Sequence, residues 1–94
     1  MDNFSLETFD NFFEAVLRLE SIEDARRFFE DVCTVKELEA ISQRVKVASL
    51  LRAGRNYQEV SRESGASTAT ISRVNKCLMY GSGGYDLVLS EEKK

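Results

Sequence analysis

The chain has no histidine, no proline and no tryptophan, and only two cysteines and five glycines among 94 residues. Without histidine it lacks the commonest general base, and Cys33 with Cys77 alone cannot complete an ordinary structural zinc site. No Ser, Cys or carboxylate stands in a recognisable catalytic spacing, so neither an enzyme nor a metal or cofactor protein is expected. The two thiols read as buried, reduced cysteines. Lack of proline, few glycines and 43% hydrophobic content predict a continuously helical chain rather than a sandwich or a disordered tail. No apolar run reaches roughly 18 residues, so nothing is expected to span a membrane. The opening MDNFSLETFD is acidic and has no basic n-region, which argues against a secretory signal and for the cytoplasm.

Positive charge is scarce overall, with a net charge of -3, but it is not evenly spread. Residues 1–40 hold 4 basic and 11 acidic groups (-7), residues 41–80 hold 7 and 2 (+5), and the last fourteen hold 2 and 3 (-1). Arg52, Arg55, Arg62, Arg73 and Lys76 thus gather in one stretch. Local clustering matters more to a phosphate backbone than the total, because counterion release is a local event. A solvated helical face is the competing reading of any one of these charges.

The spacing predicts an all-α chain of five to six helices in one domain. Between Ser5 and about Glu20, Leu6, Phe9, Phe12, Phe13, Val16 and Leu17 recur with helical rhythm. Ser21 with Asp24 opens a second helix bearing Ile22, Ala25, Phe28, Phe29 and Val32. Three phenylalanines in the first stripe exceed what a small bundle needs, so residues 1–33 read as dimerisation elements, with an intrachain core as the alternative. Thr34 with Glu37 forms a capping box for a long central helix over 34–54, and Cys33 with Leu38 fits the hydrophobic staple that accompanies it. In that helix Leu38, Ile41, Val45, Ala48 and Leu51 are expected along one side, with Arg44, Lys46 and Arg52 pointing elsewhere. Gly54 ends it. After Tyr80 the linker-like GSGG leads to Tyr85, Leu87, Val88 and Leu89 and a charged SEEKK; this tail, 80–94, suits either a brief docked helix or an extended end.

Residues 56–79, NYQEVSRESGASTATISRVNKCLM, carry the strongest pattern, that of a helix-turn-helix. Asn56 with Glu59 is a capping box, the first helix runs to Ser64, and Gly65 supplies the positive φ of a sharp exit. Ser67 with Thr70 repeats the cap for a second helix starting at Thr68. Val60, Ala66, Ile71 and Val74 are expected to be buried between the helices, with Ser61 at their closest approach. Ile71, Val74 and Leu78 then share one stripe of the second helix, while Thr68, Ala69, Ser72 and Lys76 share the other, bordered by Arg73. A short-chained, hydrogen-bonding start followed by cations suits entry into a DNA major groove. Thr68, Ala69 and Ser72 are the expected base contacts; Arg55, Gln58, Arg62, Ser67, Arg73 and Lys76 complete the expected double-stranded DNA surface. Any compact αα-hairpin also favours a glycine between capped helices, so the pattern admits a plain hairpin as well.

On these residues the chain resembles the tryptophan repressor family, most strongly over Arg44–Arg73 (RVKVASLLRAGRNYQEVSRESGASTATISR). The segment Ala66–Arg73 carries the fairly specific AxxATIS/TR pattern, and the chain as a whole is similar to the TrpR-like YerC/YecD branch. The resemblance implies an intertwined homodimer in which N-terminal helices interlock and two reading heads meet successive major grooves. It also implies an effector pocket: in tryptophan repressors the corepressor ring lies between two arginines, and Arg44 and Arg73 stand at the matching positions. Two guanidinium planes can stack on a flat ring. Two neighbours depart from the pattern, because Val74 replaces a glycine that makes room for the ring and Cys77 replaces a serine that helps hold the amino group. The turn before Tyr57 is also one residue shorter, and the C-terminal helix is curtailed to GSGGYDLVLS.

The resulting expectation is a cytoplasmic, homodimeric, sequence-specific transcription regulator, a repressor on a palindromic operator without a tryptophan response. The alternative is a dimeric protein-interaction module on the same scaffold, favoured by the acidic N-terminal third. For Arg44 and Arg73, phosphate contact or a surface ion pair stands beside a small-molecule clamp. Isopropyl bulk where a ring should lie disfavours tryptophan, so titration calorimetry is expected to show no binding at micromolar tryptophan; a saturable micromolar isotherm would refute this.

Overall fold

A computed structural model describes residues 5–89, and six helices follow one another with only turns between them: α1 (Leu6–Val16), α2 (Ile22–Val32), α3 (Val35–Arg52), α4 (Tyr57–Ser64), α5 (Thr68–Tyr80) and α6 (Gly84–Val88). The SEEKK end and the first four residues of the acidic opening lie outside the described part. The chain divides into two compact units, 1–38 and 39–94, with the boundary inside α3.

In the first unit, both helices begin where a serine caps them. Ser5 accepts the Thr8 N–H, and Ser21 accepts the Asp24 N–H at 3.0 Å while the Asp24 carboxylate accepts the Glu20 N–H at 3.0 Å. That second cap shortens α1 relative to its expected end near Glu20. Ser21 must adopt an extended conformation (φ -155°, ψ 169°) to cap, so the chain leaves helix before it through two tightened bonds, Arg18 N–H to Ala15 O and Leu19 N–H to Val16 O. Phe12 of α1 stacks on Phe28 of α2 with ring centroids 6.2 Å apart. Neither helix buries a residue completely, and Leu6, Phe13 and Leu17 are 81%, 55% and 82% exposed.

The second unit holds the buried core. Val47 and Ala48 of α3, Val60 of α4, Ala66 in the turn, and Ile71 and Val74 of α5 form one cluster, and Leu50, Leu51, Leu78, Tyr85 and Leu89 pack around it. All four side chains expected to be buried between the head helices are buried. α3 itself is corrected: Ile41 and Val45, expected on its inner side, are exposed, and Val47 is fully buried instead. Val47 and Leu51, four apart, share the flank that meets the core cluster, whereas Ile41 and Val45 project about 120° and about 160° around the helix from Val47. The thiols are corrected too, since Cys77 is exposed and Cys33 half-buried, both free. Cys77 stands next to Leu78 but just outside the stripe through Ile71, Val74 and Leu78, so the core does not reach it.

Of the two forms expected for the tail, the brief docked helix is the one formed. α6 spans five residues, and Tyr85 and Leu89 pack against the core cluster. The Arg52 guanidinium pairs with the Asp86 carboxylate, tying α6 to the C-terminal end of α3.

Val47 is the test of which α3 flank meets the head. Val47→Ala is expected to lower stability by about 2 kcal/mol, as large-to-small changes at fully buried sites do, read as a lower denaturant midpoint at unchanged slope. Full stability in that variant would mean that α3 turns another flank inward.

Candidate nucleic-acid interface

The head is built from its caps inward. The Asn56 side chain accepts the Glu59 N–H at 2.9 Å and the Glu59 carboxylate accepts the Asn56 N–H at 3.1 Å, the reciprocal pair that starts α4. α4 ends at Gly65 with φ 77° and ψ 5°, and the Gly65 N–H donates to Ser61 O at 2.8 Å. Ser67, extended at φ -74° and ψ 162°, accepts the Thr70 N–H at 3.2 Å and starts α5.

Two serines join the helices across this turn. The Ser61 hydroxyl donates to Ala66 O at 3.0 Å, so Ser61 contributes a hydrogen bond as well as small size. The Ser64 hydroxyl donates to Val60 O at 2.6 Å and accepts the Ala66 N–H at 3.1 Å. From α3 the Gln43 side-chain amide donates to Ser64 O at 3.2 Å, closing the C-terminal end of α4. The Ser64 and Ala66 carbonyls and the Ala66 N–H, which a tight helix-to-helix crossing would otherwise strand, thus have partners. Nothing in the sequence pattern marked Gln43 or Ser64, because their partners are backbone atoms distant in sequence or in the turn itself.

The outer surface is set by what this scaffold leaves uncovered. Ser67, Thr68, Ala69, Ser72, Arg73 and Lys76 are all exposed, as are Arg55, Gln58 and Arg62. Thr68, Ser72 and Lys76 recur every fourth residue and so share one face of α5. Gln58, Arg62 and Thr68 come together with Tyr57 and Ser61 around an open depression of about 390 Å³ between the N-terminal parts of α4 and α5. Tyr57 was not singled out as a surface residue; its spacing of four from Ser61 is the signal that would have placed it.

Arg55 is differently situated, since its guanidinium pairs with the Glu63 carboxylate eight residues on, and both side chains are about 40% exposed. Its charge is therefore partly committed within the head. Of the residues at the implied effector pocket, Arg44 is half-buried on α3, Arg73 and Cys77 are exposed on α5, and Val74 is only 1% exposed within the core cluster. The isopropyl group is thus packing against Val47, Val60 and Ile71 rather than facing open space.

Two short helices crossed over a glycine turn, with a buried inner stripe and an exposed hydroxyl-and-cation stripe on the second, define a DNA-binding regulator of the helix-turn-helix class. Residues 7–93 match the family model of the Trp repressor protein, and the chain belongs to that family. It is 42% identical to the protein YerC of Bacillus subtilis (strain 168), across the whole of this chain and 90% of that one. The fold is shared with the crystal structure of a TrpR-like protein from Eubacterium eligens ATCC 27750, at 43% identity and a TM-score of 0.84, covering 93% of this chain and 95% of that one. A candidate Trp repressor from Staphylococcus aureus gives 44% identity and a TM-score of 0.84, over 87% of this chain and 82% of its own. Among the described residues no helix is long and apolar enough to cross a membrane.

Gly65 is the position at which this geometry is most sensitive. A Cβ there would meet only Gln43 Nε2 at 3.8 Å, so the obstacle is conformational rather than steric crowding. Gly65→Ala is expected to cost about 1 to 2 kcal/mol for the left-handed conformation, and Gly65→Asn less, as thermal unfolding of the two variants would show. Equal melting temperatures for wild type and Gly65→Ala would remove the turn from its assigned role.

Proposed function

We propose that this protein is a sequence-specific transcriptional repressor that acts in the cytoplasm as a homodimer on a palindromic operator, without tryptophan as corepressor. The observation that carries this reading is the division of α5: Ile71 and Val74 are locked in the core while Thr68, Ala69, Ser72 and Lys76 stand exposed on the opposite face. A recognition helix needs that division, because base contacts require a helix whose orientation is fixed by its other side. Thr68 and Ser72 hydroxyls suit several base edges, and the Ala69 methyl suits the thymine methyl. Gln58, Arg62, Ser67, Arg73 and Lys76 would hold the phosphate backbone, with Arg55 contributing to the extent that Glu63 releases it.

The homodimer is supported by the apolar side chains that α1 and its C-cap leave exposed, Leu6, Phe13 and Leu17 among them, which are far more than a stable single chain this size tolerates as scattered surface. Independence from tryptophan is supported by Val74, whose side chain fills space that the family keeps open with glycine. Within this reading the half-buried Arg44 and exposed Arg73 serve the DNA backbone or local ion pairing in place of a ring clamp.

Selection of bound fragments from sheared genomic DNA, with and without tryptophan, tests the whole reading: a palindrome should be enriched equally in both. No enrichment in either would favour the protein-interaction module. Lys76→Ala should weaken all sequences alike and reduce the salt slope by about 1 per lost phosphate contact, whereas changes at Ser72 should alter sequence preference. An unaltered salt slope in the Lys76 variant would displace Lys76 from the interface.

A further inference from the structure

We propose that α6 is an internal brace for the reading head, so that Tyr85, Asp86 and Leu89 act as positioning residues that set α4 and α5 for DNA without a bound effector. The inference rests on the reading of the protein as an effector-independent DNA binder. A helix of five residues does not persist on its own, because the cost of nucleating a helix is not recovered over so few hydrogen bonds. α6 also starts without a side-chain cap, at Gly83 with φ 82°. It exists because of what it touches.

Its five residues and the one after them divide by direction. Tyr85 and Leu89, four apart and therefore on one side, pack against the cluster of Val47, Ala48, Val60, Ala66, Ile71 and Val74. Leu87 and Val88 are 85% and 68% exposed. Asp86, between Tyr85 and Leu87, pairs with Arg52 at the last turn of α3. That cluster is shared by α3, α4 and α5, whose mutual packing decides where α5 points, so α6 covers the junction on which the head's orientation depends. The ion pair is exposed and adds little to stability. What it contributes is direction, because it holds α6 against α3 with Tyr85 and Leu89 turned inward.

The test uses the full chain, duplex DNA and regional hydrogen exchange. Tyr85→Ala is expected to accelerate amide exchange in α4 and α5 about tenfold, in keeping with the loss of a half-buried aromatic side chain, and to leave α1 and α2 unchanged. Affinity for duplex DNA should fall by at least about threefold, and Tyr85→Phe should restore both. Asp86→Asn, which leaves the fold intact, separates bracing from simple charge. Bracing predicts DNA binding weakened about twofold; an Arg52 freed merely to act as one more cation predicts tighter binding. The charge-swapped R52D/D86R protein should recover the wild-type exchange pattern.

Unchanged exchange in α4 and α5, acceleration spread evenly over the chain, or tighter DNA binding by Asp86→Asn would each overturn the brace. A wild-type protein indifferent to duplex DNA would overturn the DNA-binding reading instead, and the exchange pattern would still decide whether α6 holds the head.

Discussion

The closeness of α4 and α5 at their turn is the constraint on which the rest of the head depends. Two helices that cross steeply within three residues bring their backbones together, and only small or hydrogen-bonding side chains fit between them. Gly65 turns the chain at positive φ, Ala66 goes inward with 3% exposure, and the Ser61 and Ser64 hydroxyls bond the backbone groups that the crossing exposes. Once that approach is set, Val60 and Ile71 must meet, and the outer face of α5 must point away from them. The chemistry available to DNA is therefore a consequence of how the inner face is packed.

A head of two short helices cannot hold itself, and α3 supplies what it lacks. Val47 and Ala48 complete the core from below, and Gln43 reaches the last carbonyl of α4. Among the described residues the core comprises six buried side chains, none larger than isoleucine, so each contributes a large share of what fixes the crossing angle. Val74 is one of the six. Its isopropyl group is a working part of the core that holds α5.

Charge is distributed to match. Cations are drawn to the stretch 41–80 and carboxylates to the first forty residues, but the ion pairs show that not every cation is equally available. Arg52 is engaged by Asp86 and Arg55 by Glu63, which leaves Arg62, Arg73 and Lys76 as the exposed cations nearest the hydroxyl face of α5. Glu63 is eight residues from Arg55, twice the i,i+4 spacing of helical neighbours, so the pair runs from the turn before α4 to its last turn and does not follow from nearest-neighbour helix periodicity.

Most of the local architecture was legible in the sequence, because caps, glycine exits and hydrophobic periodicity act over three to four residues and are written there directly. Asn56 with Glu59, Ser67 with Thr70, Thr34 with Glu37 and the turn at Gly65 all form as their residue types demand. The burial of Val60, Ala66, Ile71 and Val74 was legible for the same reason, since a short turn leaves one way to pack two amphipathic helices. Tertiary structure alone decided which flank of α3 faces the head, that Cys77 stays outside the core, that Gln43 closes α4, and that a five-residue α6 forms at all. These depend on partners many residues away, and α3 in particular carries apolar side chains on more than one flank, so its own pattern could not choose between Val47 and Val45; the space left by α4, α5 and the tail made that choice.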